Sequence, residues 1–171
     1  VATDSPVTLF FGAQNRESDW EPLMPALNRV LLEHGDCVQV RVIHDRRFFE
    51  ALETDQKQFE PWCPYLRYQQ ILRSCDIGLL PLEPSEFNQM KSDLKFIECA
   101  AHGVVALASP TVYAESIVEG QTGLIYHSVE EFAAKLHELI VNREMRGRIA
   151  MQAYDWVRDC RLLSLHYHQR R

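Results

Sequence analysis

The stretch "KSDLKFIECAAHGVVALAS", residues 91–109, has the pattern of a helix that ends at a glycine and leads directly into an apolar strand. At about 100° per residue, one broad face of this helix is apolar. That face comprises Leu94, Ile97, Ala100 and Ala101, with Phe96 at its edge, and the opposite stripe carries Lys91, Lys95, Glu98 and His102. A polar stripe on an otherwise apolar helix must face water, a partner or a ligand.

The start of this helix is a candidate anion site. Ser92 is predicted as the N-cap residue, with Asp93 in the first turn. Backbone amides at a helix N-terminus also attract phosphate groups, which here would require the Asp93 carboxylate to point away. Lys91 and Lys95 lie beside the same end, and Glu98 follows one turn later. Two cations and a carboxylate close to one ligand indicate a nucleotide site.

Two alternatives stay open for the polar stripe. His102 would lie in the last helical turn, where a cation is stabilised by the helix dipole without any ligand. Lys95 and Glu98 are three residues apart and could form a surface ion pair worth roughly 0.3 kcal/mol. Spacing alone does not separate these interpretations from a ligand site.

Short apolar runs of strand length alternate with helix-like stretches along the chain. The strand-like runs are residues 7–13, 37–43, 58–63, 77–82, 104–109 and 122–127. The helix-like stretches are residues 19–34, 65–74, 92–102, 129–141 and 143–160. This alternation predicts an α/β fold, a Rossmann-like doubly wound parallel sheet of about six strands with helices on both faces.

A sheet of this kind binds ligands beyond the carboxyl ends of its strands, where loops lead into helices. The candidate loops are residues 12–19, 44–47, 82–92 and 109–115. The third of these is the longest, and it leads into the helix with the polar stripe. We therefore expect the ligand site at this edge of the sheet.

Composition limits the classes of protein that fit. The chain has 171 residues, 46% of them hydrophobic, which is enough for one full core and predicts a single domain over residues 1–171. The net charge of −6 disfavours nucleic acid as a partner. Residues 143–171 carry seven arginines against three acids, which we interpret as a solvated amphipathic helix; a peripheral membrane or partner contact is the alternative.

Targeting and redox signals favour a cytoplasmic protein. No apolar run approaches the roughly 20 residues of a membrane span, and the N-terminus lacks the charged and apolar regions of a signal peptide. The five cysteines are odd in number and show no CxxC spacing, as expected for reduced thiols. The chain begins "VATDSPVTLFFGA" without an initiator Met, which indicates a domain excised from a longer protein.

Several motifs that would define other enzymes are missing from the sequence. It has no GxGxxG after the first strand and no GxxxxGK[ST], GxSxG or HExxH. These absences argue against a Rossmann dehydrogenase, a P-loop NTPase, a serine hydrolase and a zinc protease. The seven histidines are scattered without ligand spacing, so no metal site is predicted.

The longer stretch "KSDLKFIECAAHGVVALASPTVYAESIVEGQTGLIY", residues 91–126, resembles the donor-binding half of group 1 retaining glycosyltransferases of the GT-B architecture. The family pattern runs roughly K-x-x-E-[YA]-x-A-x-G-[VI]-P-V-[VI]-A-S, then E-x-[VI]-x-[DE]-G-x-T-G-[LF]-[LV]. The matching residues are Lys95, Glu98, Gly103, Ser109, Glu115, Gly120, Thr122 and Gly123. The resemblance extends from about residue 7 to 165, and we call its specific part, residues 91–126, the family block.

The resemblance implies that this chain is the C-terminal half of a two-domain glycosyltransferase whose N-terminal acceptor domain is outside the sequence. Such an enzyme transfers a sugar from a nucleotide-diphosphate donor, such as a UDP- or GDP-sugar, with retention. No cofactor or metal is expected beyond the donor itself. Because the catalytic groups lie largely in the absent half, the isolated chain is expected to be inactive.

The resemblance also implies which residues hold the donor. Glu98 matches the glutamate that hydrogen-bonds the donor ribose, and the stripe would line the cleft between the two domains. The other candidates are Lys95, Lys91, Ser92, Arg16 and Gly12. The segment "AYDWVRDCRLLSLHYHQRR", residues 153–171, is expected to leave the core and cross back toward the N-terminal half.

Three departures from the family pattern bear on the donor. Met90 stands where many members have an earlier glutamate. The Arg and Lys that follow the first strand in the family have no clean match in "GAQNRESDW", where Arg16 is the nearest cation and Lys91 or Lys95 would substitute. The Gly-Gly after the fifth strand is replaced by "SPTVYAE".

Two other functions are compatible with these departures. The first is a non-catalytic nucleotide-binding or interaction module within a multidomain protein. The second is a nucleotide-sugar epimerase of the same architecture, although the block from Lys95 to Glu98 resembles the transferases more closely.

Overall fold

A six-stranded parallel sheet forms the centre of the computed structural model, which describes residues 5–161. The strands are β1 (Val7–Gly12), β2 (Val38–Ile43), β3 (Lys57–Glu60), β4 (Ile77–Leu80), β5 (Val105–Ala108) and β6 (Leu124–Ile125). Their order is β3-β2-β1-β4-β5-β6, and every neighbouring pair is parallel. The predicted fold class is confirmed, and each predicted strand-like run contains one strand or overlaps it.

Helices cover both faces of the sheet. They are α1 (Glu17–Trp20), α2 (Met24–His34), α3 (Arg46–Ala51), α4 (Tyr65–Arg73), α5 (Glu86–Gln89), α6 (Leu94–Ala101), α7 (Val129–Val141) and α8 (Arg143–Cys160). Because side chains alternate along a strand, Phe11 of β1 packs into one core with α2 and α7. Phe10 packs into the other core, with α4, α6 and α8.

The helix predicted over residues 19–34 is broken into three pieces. Helix α1 ends at Trp20, a 3₁₀ turn covers Glu21–Leu23, and α2 begins at Met24. Pro22 and Pro25 stand in the first turns of the second and third pieces. A proline lacks the backbone N–H that a continuous helix needs, so the chain starts a new helix at each one.

Two short helices begin in segments that were predicted as loops, residues 44–47 and 82–92. Helix α3 starts after Asp45, whose side chain accepts a hydrogen bond from the Phe48 backbone N–H at 2.9 Å. Helix α5 starts after Ser85, whose hydroxyl accepts one from the Asn88 backbone N–H at 3.1 Å. Both are N-caps of the expected chemistry, but the helices are too short to show a period in sequence.

The helix of the opening stretch differs from its prediction at its start and in its buried face. Asp93, and not Ser92, stands at the N-cap position. The buried residues of α6 are Phe96, Cys99 and Ala100, whereas Leu94 is 54% exposed and Ala101 is also exposed. Gly78 of β4 explains the orientation, because a Cβ there would lie 2.7 Å from the Cys99 sulfur. The helix therefore packs with Cys99 over the bare glycine.

Other predictions concern the cysteines and the chain end. All five cysteines lie within the described residues as free thiols. Within residues 5–161, no helix combines the length and the apolar character needed to cross a membrane. The segment predicted to cross toward the N-terminal half lies outside the described residues beyond Arg161.

The orientation of α6 leads to a stability prediction. Phe96→Ala should lower the free energy of unfolding by about 3–5 kcal/mol, because it removes a fully buried ring. Leu94→Ala should cost less than about 1 kcal/mol, because that side chain is largely in solvent. Urea unfolding of both variants measures the difference, and equal losses would contradict the observed orientation.

Candidate functional site

A pocket of about 270 Å³ opens at the carboxyl ends of β1 and β4. It lies where the strand order reverses, since β2 and β4 flank β1 on opposite sides. Five of the six predicted site residues line it: Gly12, Arg16, Lys91, Ser92 and Lys95. The structure thus brings together residues that are up to 83 positions apart in the sequence.

Gly12 ends β1 and lines this pocket. A Cβ at this position would lie 2.6 Å from the Phe10 ring, so any larger residue would displace that ring. Phe10 in turn packs edge-on against Tyr68, with 5.7 Å between ring centroids. The glycine therefore leaves the Phe10–Tyr68 contact in place.

Two cations share one aromatic ring at the pocket rim. Arg16 lies 5.7 Å and Lys91 lies 4.9 Å from the centroid of the Phe87 ring. Lys91 also donates a hydrogen bond to the Asn88 side-chain oxygen. Burial and the nearby Arg16 charge lower the pKa of Lys91. An anion placed between these cations would relieve their mutual repulsion.

Asp19 fixes the geometry of this rim. Its carboxylate is buried and accepts hydrogen bonds from the Glu83 backbone N–H and from the Asn88 side chain, both at 2.8 Å. These bonds join α1 to the loop after β4. Asp19 and Asn88 both lie in predicted candidate loops, but their contact has no sequence signal because they are 69 residues apart.

The Glu98 carboxylate lies 3.9 Å from the ammonium of Lys95, which lines the pocket, but Glu98 itself is not among the lining residues. It accepts hydrogen bonds from the Tyr68 hydroxyl at 3.0 Å and from the Tyr65 hydroxyl at 3.4 Å. Its side chain is only 12% exposed. Helix α4 therefore covers most of this carboxylate through its two tyrosines.

Tyr68 connects Lys95 to Glu98. The Lys95 ammonium donates to the Tyr68 hydroxyl at 2.8 Å and lies 3.9 Å from the Glu98 carboxylate. Burial lowers the pKa of Lys95, although the Glu98 charge acts in the opposite direction. Burial and the Glu98 charge raise the pKa of Tyr68, so its hydroxyl keeps its proton. No local sequence signal marks Tyr68 for this role, because its partners Lys95 and Glu98 are 27 and 30 residues away in the chain.

His102 interacts with its own helix. One ring nitrogen lies 2.7 Å from the Glu98 backbone carbonyl oxygen, in the last turn of α6. This contact agrees with the helix-end interpretation of His102.

A different histidine, His44 at the end of β2, has a pKa lowered by burial and by the charge of Lys95.

Asp93 points away from the pocket. Its carboxylate forms two hydrogen bonds with the Arg161 guanidinium, at 2.8 and 2.9 Å, and accepts one from the Ser116 hydroxyl. Burial raises the pKa of this carboxyl, but the bonds to Arg161 and Ser116 outweigh it and hold the pKa below its ordinary value. The start of α6 therefore presents Lys91, Ser92 and Lys95 to the pocket without the Asp93 charge.

Several matching residues of the family block stabilise loops. The Ser109 hydroxyl accepts a hydrogen bond from the Leu82 backbone N–H at 3.0 Å, and Thr122 accepts one from Val118 at 2.8 Å. Gly120 has a φ of 71°, a conformation that favours glycine. These residues position the loops after β4 and β5.

The segment that replaces the family Gly-Gly contains a strained residue. Val112 has a φ of 57°, which is unfavourable for a β-branched side chain. The next residue, Tyr113, is buried and lines the pocket. This unusual backbone thus carries the tyrosine into the site.

The description "Glycosyl transferase-like" belongs to a family model that matches residues 22–171. The chain belongs to this family. Among curated proteins, none matches it significantly.

Solved structures share this fold. The C-terminal domain of a group 1 family glycosyl transferase from Francisella tularensis has a TM-score of 0.73 at 20% identity, covering 91% of this chain and 85% of that one. WaaG, a glycosyltransferase involved in lipopolysaccharide biosynthesis, has a TM-score of 0.76 at 17% identity, and the match covers 98% of this chain and 46% of WaaG. HepE of Anabaena, solved in complex with UDP, has a TM-score of 0.78 at 13% identity, and the match covers 96% of this chain and 47% of HepE.

The chain spans less than half the length of WaaG and HepE but most of the Francisella domain. At these identities the likeness concerns the fold. Together with the family match, it confirms the predicted resemblance to the C-terminal domain of group 1 glycosyltransferases.

The Tyr68 bridge can be tested by removing one hydroxyl. Tyr68→Phe should cost about 1–3 kcal/mol of unfolding free energy, because Lys95 and the largely buried Glu98 side chain lose a shared hydrogen-bond partner. Tyr65→Phe is the matched control: this tyrosine is exposed and its bond to Glu98 is longer, at 3.4 Å, so its hydroxyl should contribute less than about 0.5 kcal/mol. Chemical denaturation measures both, and a loss in the control as large as in Tyr68→Phe would refute the bridge.

Proposed function

We propose that this chain binds the nucleotide diphosphate of a sugar donor and serves as the C-terminal domain of a two-domain retaining glycosyltransferase. One observation carries the proposal. Arg16, Lys91 and Lys95 line a single pocket at the switch point of the sheet, in a chain of the glycosyl transferase-like family. Parallel α/β sheets bind nucleotides at this location.

The pocket chemistry fits a departing diphosphate. When the sugar leaves, negative charge develops on the nucleotide diphosphate, and fixed cations stabilise that charge most effectively where little water reaches them. Lys91 and Arg16 are held by the Phe87 ring before any ligand binds. Glu98 would accept hydrogen bonds from the vicinal hydroxyls of the ribose. We expect this binding to need no metal, since side-chain cations supply the positive charge.

Calorimetric titration with UDP, GDP and ADP tests the proposal. UDP comes first, because HepE of Anabaena was solved with it. We expect one of the diphosphates to bind in the presence of a chelator and the matching nucleoside to bind more weakly. No binding by any of them would overturn the proposal. Sugar transfer is expected only when an N-terminal acceptor domain is joined to this chain in the cytoplasmic enzyme.

The ribose contact predicts a specific loss of affinity. Glu98→Gln keeps the shape of the side chain but removes its charge, which should weaken binding of the best nucleotide by about 1–3 kcal/mol. Glu138→Gln, an exposed change on α7, is the control and should bind like the parent. Calorimetry gives the affinities, and thermal unfolding shows whether each variant is folded. Parent-like affinity of a folded Glu98→Gln would exclude the contact.

The diphosphate contact predicts a different pattern. Lys95→Ala should weaken binding of the nucleoside diphosphate more than binding of the nucleoside. Added salt should reduce this difference, because it screens the phosphate charge. Arg29→Ala removes an exposed cation from α2 and should change neither affinity. Titrations at low and high salt measure the effect. Equal losses for nucleoside and diphosphate would show that Lys95 does not serve the phosphates.

A further inference from the structure

A cluster of two histidines and a glutamate lies far from the donor pocket. Glu33 and His34 end helix α2, and His137 lies in the middle of α7, which packs against it. His34 also lines a surface depression beside Val7, the first residue of β1. The cluster therefore lies at the amino edge of the sheet, opposite the carboxyl edge that holds the pocket.

The three side chains are close enough to share one ion. The His34 Nε2 and His137 Nδ1 atoms are 3.0 Å apart, and the His137 Nδ1 atom is 3.6 Å from a Glu33 carboxylate oxygen. All three potential ligand atoms lie within 4.8 Å of one another. Tetrahedral zinc with bonds of about 2.0–2.1 Å separates its ligands by roughly 3.4 Å. The two measured distances lie on either side of that value.

We propose that Glu33, His34 and His137 form a binding site for a divalent transition-metal cation of the zinc type, which ties α2 to α7. Two imidazoles and one carboxylate are a ligand set that such ions prefer, and water would complete the coordination. The last turn of α2 adds the negative end of its helix dipole. Both imidazoles would turn a lone pair to the ion and keep their protons on the outward nitrogens.

The sequence did not indicate this site because its histidines are 103 residues apart. Metal motifs are recognised by short spacings, and this set is assembled only when α7 packs on α2. The ion would join a helix early in the chain to one late in it. Its predicted role is therefore to stabilise the folded domain, and it is independent of donor binding at the other edge.

Zinc titration of the protein tests the site. We expect calorimetry to detect one zinc ion per chain, and zinc in about 100-fold excess over its dissociation constant to raise the unfolding midpoint by several degrees. His137→Ala and His34→Ala should each weaken zinc binding at least tenfold and remove the midpoint shift. Glu33→Gln should weaken binding to a smaller extent. Alanine is well tolerated in helices, so these variants should fold.

Two control variants distinguish this site from incidental binding. His127→Ala removes an exposed histidine that precedes α7, and Cys37→Ser removes the exposed thiol near His34. Both should bind zinc as tightly as the parent. The proposal is overturned if the parent shows no zinc-dependent shift, if His127→Ala loses as much affinity as His137→Ala, or if Cys37→Ser abolishes binding.

Discussion

Asp76 forms two hydrogen bonds that hold the central strand β1 beside the start of β4, and the pocket depends on the pairing of these strands. The Thr8 backbone N–H donates to the Asp76 carboxylate at 2.8 Å, and the Asp76 backbone N–H donates to the Thr8 carbonyl at 2.8 Å. Because β2 already occupies the other side of β1, the chain leaves β1 and β4 in opposite directions. The loops after Gly12 and Leu80 separate there and leave the crevice that the cations line.

Hydrogen bonds to the Asp19 carboxylate hold the rim of that crevice. They also explain how a carboxylate can lie in a pocket that is proposed to bind an anion. Asp19 is buried, but two N–H donors from the loop after β4 satisfy its carboxylate, and the cations Arg16 and Lys91 lie nearby. Among the residues that the structure describes, no buried side-chain nitrogen or oxygen lacks a partner. These bonds hold the loops in one arrangement without a ligand, and such preorganisation lowers the entropic cost of binding.

The strands could be predicted from the sequence because each is a short apolar run between turn-forming residues. Five of the six site candidates were also brought to one pocket, since loops after parallel strands meet at one edge. Features that depend on contacts between residues distant in the sequence could not be predicted from periodicity. The face that α6 buries is set by the packing of the Cys99 sulfur over Gly78. This contact depends on where β4 lies in the sheet and not on the period of the helix. The contact of Asp19 with Asn88 and the bridging role of Tyr68 have no local signal either.

Glu98 shows how one residue can serve both the fold and the proposed site. Tyr68 holds its carboxylate in place from the face of α4, and Tyr65 adds a longer bond. An ionised carboxylate accepts about four hydrogen bonds, so two hydroxyl donors leave room for two more. The same tyrosine bond that reduces the freedom of Glu98 thus prepares it for a ligand with vicinal hydroxyls. Because Lys95 shares the Tyr68 hydroxyl and lies 3.9 Å from the Glu98 carboxylate, substitutions of Lys95 and Glu98 should have non-additive effects.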